Sequence, residues 1–214
     1  MNIRKNEIII SAIILTSFLI GIYLYPYMPD KIASHWNYRG EVDGYITKFW
    51  GLFLMPSISL GLLLLFILIP RIDPLKENIE KFRKYFDRFI VLIIIFLFYL
   101  YLLTIFWNLG KKFNMVQLLV PAFALIFYYA GILVENAKRN WFIGIRTPWT
   151  LSSENVWDKT HKIGGKLFKG AGTIAILGIF FQNYAIFFVI TPAILVAIYT
   201  VIYSYFIYQK EKNN

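Results

Sequence analysis

The sequence contains no cysteine, only two histidines, and only 12 aspartates and glutamates among its 214 residues. Without cysteine the chain cannot form disulfides, thiolate nucleophiles, iron–sulfur clusters or cysteine-based zinc sites. Charged residues of both signs make up 16% of the chain, against about 25% in an average soluble domain. This composition excludes a disordered chain, a coiled coil and a disulfide-rich secreted scaffold.

Apolar residues dominate instead. Hydrophobic residues make up 58% of the chain and the mean hydropathy is +0.59. A globule of 214 residues has too little interior to hide that much apolar surface from water. We therefore expect an all-α integral protein of the cell membrane, because helices satisfy their own backbone hydrogen bonds in lipid.

Six apolar stretches are long enough to cross a bilayer, which takes about 20 residues. They are Ile8 to about Tyr25, Phe49–Ile69, Phe89–Trp107, Val116–Val134, about Leu167–Phe181 and Tyr184–Tyr208. No aspartate, glutamate, lysine, arginine or histidine lies in the central part of any stretch. Because ion-coupled carriers place such groups at mid-membrane, their absence argues against an ion-coupled carrier.

Lysine and arginine are distributed unevenly between the two sides that these stretches define. The N-terminus with Arg4 and Lys5, Pro70–Arg88, Glu135–Lys169 and the tail hold 17 of them, and the opposite side holds 5. Basic residues remain in cytoplasmic loops, so both termini are predicted to be cytoplasmic. This asymmetry accounts for the net charge of +10 without a nucleic-acid partner.

Short interfacial amphipathic helices are predicted at two places. After Asp73 and Pro74, which look like an N-cap and first helical residue, apolar residues recur at helical spacing up to Phe89. This helix either lies on the membrane surface or docks a cytosolic partner. A second helix, capped by Ser152 or Ser153, places Trp157 and His161 on one face.

Four glycines, at positions 164, 165, 170 and 172, follow the second of these helices. They do not form a phosphate-binding loop, because no G-x-x-x-x-G-K-[ST] motif is present and no strand precedes them. Their spacing favours close packing between helices.

The two longest polar loops, Met28–Lys48 and Asn140–Lys166, exceed what a helix connection needs. The first contains Pro-Asp-Lys-Ile from Pro29, His-Trp-Asn from His35, Gly40 and Asp43-Gly44. The second contains Asn140, then Gly-Ile-Arg-Thr-Pro-Trp-Thr-Leu from Gly144, and later Trp157, Thr160-His161 and Gly165-Lys166.

In these motifs the chain closely resembles the SdpI family, membrane immunity proteins for a toxic sporulation-delaying peptide. The resemblance implies an N-terminal two-helix domain over residues 1–70 and an SdpI-like four-helix domain over residues 71–214. It implies a protein that neutralises a membrane-active peptide and, in a signalling member, holds a transcriptional repressor at the membrane. It implies no enzymatic activity and no cofactor. The candidate ligand- or partner-binding residues are His35, Trp36, Asn37, Gly40, Asp43, Asn140, Gly144, Arg146, Thr147, Trp149, Trp157 and His161.

Several alternatives remain open at this stage. His35 could bind a metal with Glu41 and Asp43, or it could be a hydrogen-bonded loop residue. Arg146 could clamp an anionic group, or pair with a loop carboxylate or a lipid phosphate. At the level of function, the protein could export amphipathic peptides or lipid-like compounds instead. An intramembrane enzyme would require the two histidines, which are predicted on opposite sides, to meet in one cavity.

Overall fold

A computed structural model describes residues 5–213; Arg4, part of the predicted basic N-terminus, lies outside the described residues. The elements are α1 (Lys5–Leu24), β1 (Lys31–Trp36), β2 (Val42–Thr47), α2 (Lys48–Ile72), α3 (Lys76–Asn108), α4 (Met115–Asn136), α5 (Pro148–Ser152), α6 (Glu154–Ile176) and α7 (Ala185–Lys212). Short 3-10 turns at Tyr25–Tyr27, Leu177–Phe180 and Gln182–Tyr184 complete the chain between helices.

Within the described residues, six helical segments are long and apolar enough to cross a membrane. They are Asn6–Tyr27, Lys48–Ile72, Lys76–Asn108, Met115–Asn136, Glu154–Phe180 and Gln182–Lys212. This confirms the predicted multi-pass helical fold and the number of its spans. The side on which the termini lie remains a prediction.

The two predicted amphipathic helices are not separate elements. Each is the first part of a spanning helix, because α3 runs unbroken from Lys76 and α6 from Glu154. On α3 the apolar side chains Ile79, Phe82 and Phe86 are at most 3% exposed and pack in a protein core that includes Trp157. This face therefore packs inside the protein itself, whereas the sequence analysis placed it either on the membrane surface or against a cytosolic partner.

The loop between α1 and α2 contains an antiparallel β-hairpin, which the sequence analysis did not anticipate. Strand β1 pairs with β2 from Lys31 opposite Thr47 to Trp36 opposite Val42, with a bulge near His35. Ile32 is fully buried in a cluster with Leu52 of α2 and Tyr101 and Ile105 of α3. The hairpin is thus packed onto the end of the helical bundle.

Helices α4 and α6 approach each other closely through glycines. A Cβ added to Gly165 would lie 2.7 Å from the Gly131 carbonyl oxygen, and one added to Gly172 would lie 2.6 Å from the Ala124 carbonyl. The prediction of close helix packing is confirmed for Gly165 and Gly172. It is wrong for Gly170, where an added Cβ would meet nothing within 4 Å.

Candidate functional site

The tip of the hairpin is shaped by Asn37. Its side-chain oxygen accepts hydrogen bonds from the backbone N–H groups of Arg39 and Glu41 at 2.9 and 3.1 Å, and its side-chain nitrogen donates to the Glu41 carboxylate at 2.9 Å. Gly40 has φ +81°, and a Cβ there would overlap the Asn114 side chain. Asn37 and Gly40 therefore determine the turn and leave little hydrogen-bonding capacity for a ligand.

His35 and Asp43 form an exposed pair across the bulge. His35 Nδ1 lies 2.5 Å from Asp43 Oδ1, and the two side chains are 71% and 45% exposed. Glu41 is already occupied by Asn37. Among residues 5–213 no group of three histidine or acidic side chains is placed to hold a metal ion.

Two asparagines on other elements hold the hairpin on the bundle. Asn108, at the end of α3, accepts from the Ala33 N–H at 2.8 Å and donates to the Ala33 carbonyl at 3.1 Å. Asn114 caps α4 by accepting from the Gln117 N–H, and it donates to the Arg39 carbonyl at 3.2 Å. Sequence reasoning missed both residues; the N-cap position of Asn114 was the one signal available.

A cavity of about 500 Å³ lies between the hairpin and the helix ends. Ser34, His35, Trp36, Asn37 and Tyr38 line it from the hairpin; the helices contribute Met55, Leu100, Thr104, Met115, Val116, Leu119, Phe123, Ile186, Phe187 and Ile190. The helical wall is almost entirely apolar, and the polar groups are concentrated on the hairpin. Such a cavity is large enough for apolar side chains or an acyl chain.

Trp36 forms part of the cavity wall and is held by Trp107. The two rings pack edge to face with centroids 5.7 Å apart. The buried indole N–H of Trp36 has no hydrogen-bond partner among the described residues. Trp36 therefore offers an aromatic surface and an unused donor, as amphipathic aromatic side chains do at membrane interfaces.

The second polar loop begins with a turn built on Asn140, which is fully buried. Its side-chain oxygen accepts from the N–H groups of Phe142 and Ile143 at 2.9 and 2.6 Å, and its nitrogen donates to the carbonyls of Lys138 and Ile143, both at 2.8 Å. Every hydrogen-bonding position of this amide is directed to the loop backbone. Asn140 is thus a folding residue.

The centre of this loop is locked to α6 by His161. The Ile145 N–H donates to His161 Nε2 at 3.0 Å, so Nδ1 carries the hydrogen and donates to the Trp157 carbonyl at 2.9 Å. The imidazole is neutral and stacks on Trp157 at 3.8 Å between centroids. Gly144 has φ +114°, and a Cβ there would overlap His161 Nε2.

The end of the loop is attached to α7. Thr147 and Thr150 form a reciprocal capping box on α5, and the Thr147 hydroxyl lies 3.0 Å from the Ser204 hydroxyl. Trp149 packs edge to face on Tyr205 at 5.1 Å. These contacts join the Gly144–Leu151 motif to the last helix.

Arg146 is the charged residue of the motif, and its side chain is exposed. Its guanidinium donates to the Trp141 carbonyl at 2.9 Å, and residues 5–213 show no ion pair for it. Of the alternatives for Arg146, the structure therefore does not show pairing with a loop carboxylate among the described residues, and the lipid phosphate and the anionic partner stay predictions. Most of its donors remain available to a partner outside the chain.

Asp73 is a further residue at this end of the molecule, and the sequence analysis assigned it only as an N-cap. Asp73 is 2% exposed. One carboxylate oxygen accepts from the Leu75 N–H at 2.6 Å and the other from the Trp141 N–H at 2.9 Å. Helix α3 begins at Lys76 rather than directly after Asp73, so the carboxylate connects the α2–α3 turn to the polar loop.

The twelve candidate residues form two separate groups. One lies on the hairpin at the start of α2, and the other surrounds the loop that Asp73 contacts at the far end of α2. At 1.5 Å per residue, a helix of 25 residues places the groups about 37 Å apart. His35 and His161 therefore lie at opposite ends of α2 and do not share a cavity.

These features define a six-span membrane protein with an apolar cavity under a polar hairpin at one end and a locked polar loop at the other. Residues 136–204 match the SdpI/YfhL protein family, and residues 12–60 match a domain of unknown function, DUF1648. The chain is also 28% identical over 207 residues to the Immunity protein SdpI of Bacillus subtilis (strain 168), covering 96% of this chain and 97% of that protein. The predicted resemblance to the SdpI family is thereby confirmed. No solved structure matches the chain.

Proposed function

We propose that the chain is a membrane immunity protein that neutralises a membrane-active toxic peptide by binding it at the hairpin cavity. The cavity is the observation that carries this proposal. Its helical wall accepts apolar side chains, while Ser34 and His35 present polar groups at the hairpin. An amphipathic peptide needs both kinds of surface, because its apolar face leaves lipid only for an equally apolar site.

For this function the hairpin lies on the outer side of the membrane and both termini lie in the cytoplasm. The excess of lysine and arginine at the opposite end of the bundle supports that orientation. A peptide arriving from outside then meets the cavity before it crosses the bilayer. The polar loop with Arg146 faces the cytoplasm.

Relay of the binding event to a cytoplasmic repressor is the second part of the proposal. Helix α7 contributes Ile186, Phe187 and Ile190 to the cavity and Ser204 to the loop contact with Thr147. One continuous helix thus contacts both groups of candidate residues. A displacement of α7 by a bound peptide would change the loop on which Arg146 is exposed.

The test is protection of peptide-sensitive cells that express the protein. Leu119→Trp should abolish most protection because Leu119 lines the cavity. Leu118→Trp, a matched change at the next residue, should not, because Leu118 is 38% exposed on the outside of the bundle. Survival and membrane potential are measured after adding amphipathic peptide, at matched amounts of protein in the membrane. Equal protection by the two variants contradicts the cavity as the binding site.

The hairpin gives a second comparison within the same assay. His35→Gln should retain most protection because Gln still donates and accepts hydrogen bonds. Trp36→Ala should lose more because it removes the aromatic cavity wall. The opposite order, together with loss of protection in the presence of a chelator, would indicate a metal or a titrating base at His35.

Export of the peptide is the alternative that this assay must separate from binding. Labelled peptide should accumulate on membranes that contain the protein if it acts by binding. It should be depleted from those membranes if the protein exports it. Depletion that requires an energised membrane would replace the binding proposal with an exporter.

A further inference from the structure

Three lysines on α6 form a stripe that the proposed function does not use. Lys159, Lys162 and Lys166 are three and four residues apart, so their side chains project from one face of the helix. All three are exposed, and residues 5–213 show no ion pair for any of them. Like charges at this spacing repel one another, which destabilises the helix unless an anion lies between them.

Several other basic side chains at this end of the molecule have carboxylate partners. The pairs are Lys138 with Asp158, Arg139 with Glu154, Lys169 with Glu135, and Arg83 with Glu80 and Asp87. The Glu211 carboxylate interacts electrostatically with Lys159 of the stripe. It accepts hydrogen bonds from Ser153 and Asn155, both at 2.8 Å. Within residues 5–213 the three lysines thus lack the bound carboxylate that Lys138, Arg139 and Lys169 have.

The three lysines line a pocket of about 190 Å³ together with Ile163 of α6 and Tyr203 of α7. The pocket has a basic rim and an apolar and aromatic wall. Tyr203 lies two residues before Tyr205, whose ring packs on Trp149. Tyrosine, tryptophan and lysine are side chains that favour the level of the lipid headgroups.

We propose that this pocket binds the phosphate group of an anionic phospholipid. The ammonium groups of Lys159, Lys162 and Lys166 surround the phosphate, and Ile163 and Tyr203 contact the glycerol and the first part of the acyl chains. Basic pockets between membrane helices recognise anionic headgroups in this way. A bound phosphate also removes the repulsion among the three lysines and joins α6 to α7.

The experiment compares lipid retention by the purified full chain in detergent, measured by native mass spectrometry during titration with phosphatidylglycerol or phosphatidylcholine. Wild type should retain phosphatidylglycerol preferentially. Changing Lys159, Lys162 and Lys166 together to Gln should weaken that binding about tenfold, at roughly 1 kcal/mol or less per lysine. Changing the three lysines to Arg should preserve it, because the charge is kept.

A charge-matched control uses three exposed lysines from the same end that do not line the pocket, Lys76, Lys84 and Lys210. Changing these to Gln should alter phosphatidylglycerol binding less than twofold. Equal losses in both triple variants, or no loss in either, would overturn the proposal in favour of diffuse surface charge. The phospholipid proposal would also be overturned if inorganic phosphate bound as tightly as the phospholipid. The same holds if an acidic peptide displaced the lipid at equal concentration. A fold check by circular dichroism accompanies each variant.

Discussion

Gly144→Ala tests whether the polar loop is locked to α6 in the manner described. Gly144 has φ +114°, and an added Cβ would overlap His161 Nε2. Gly110 offers a matched control, because its φ is +97° and an added Cβ would meet nothing within 4 Å. Both substitutions force an L-residue into a left-handed conformation, which costs about 1–2 kcal/mol. The difference between them isolates the contact with His161.

The size of that difference follows from what His161 would lose by moving. The hydrogen bond from the Ile145 N–H contributes about 1 kcal/mol, and leaving its partners unsatisfied adds to the loss. Displacing the ring from Trp157, on which it stacks at 3.8 Å, costs about 0.5–1.5 kcal/mol. We expect Gly144→Ala to be less stable than Gly110→Ala by about 2–3 kcal/mol.

The measurement is unfolding of the purified protein by SDS titration in mixed micelles, followed by tryptophan fluorescence. The comparison is repeated in a His161→Ala background, where the ring that clashes with the new Cβ is absent. There the excess cost of Gly144→Ala should nearly disappear, as a double-mutant cycle requires for residues in contact. The same excess cost in both backgrounds would refute the lock between Gly144 and His161.

Three further predictions follow from the packing, the exposed guanidinium and the charge asymmetry. Gly165→Ala should be less stable than Gly170→Ala by about 1–3 kcal/mol in the same titration, because only the first Cβ would press on α4; equal stability would mean that the helices separate freely. Arg146→Ala should reduce protection against peptide more than Lys138→Ala at matched expression, since Lys138 has only an exposed pairing of 3.7 Å with Asp158. In this cysteine-free chain, Arg39→Cys should react with an impermeant maleimide in intact cells, whereas a cysteine in the C-terminal tail should react only after permeabilisation. The reverse pattern would invert the proposed orientation.

The number of spans could be predicted because hydropathy acts over whole helices. The start of α6 was also predicted, because Ser153, one of the two proposed caps, accepts a hydrogen bond from the Val156 N–H. The surroundings of the first turns of α3 could not be predicted, because an apolar stripe such as Ile79, Phe82 and Phe86 has the same spacing whether it contacts lipid or protein. The tertiary core around Trp157 decides that these residues are buried. The hairpin was missed for a related reason: its register depends on a bulge at His35 and on burial of Ile32 against α2 and α3.

The candidate residues were predicted from motifs, but their roles had to come from the structure. Asn37 and Asn140 use their amide groups on adjacent backbone, which local sequence could suggest. The contacts of Asn108 with Ala33 and of Asn114 with Arg39 each join residues 75 positions apart. No local pattern specifies such pairs. Gly144 and His161 lie 17 positions apart along the chain, and their complementarity becomes apparent only when α6 packs beside the loop.

In this protein, some motif residues have every hydrogen-bonding group paired within the chain, and these residues stabilise the fold. Others keep unpaired hydrogen-bonding groups, and these are the candidates for binding. Buried members of the motifs, such as Asn140 and His161, have their hydrogen bonds completed within the chain. A side chain in that state has little left to offer a ligand, so its replacement should lower stability first and function only as a consequence. Arg146 retains unused donors, and Trp36 has an indole N–H without a partner among the described residues. Binding is therefore to be sought at these groups and at the cavity, and variants at the buried motif residues require a stability measurement before any loss of protection is assigned to recognition.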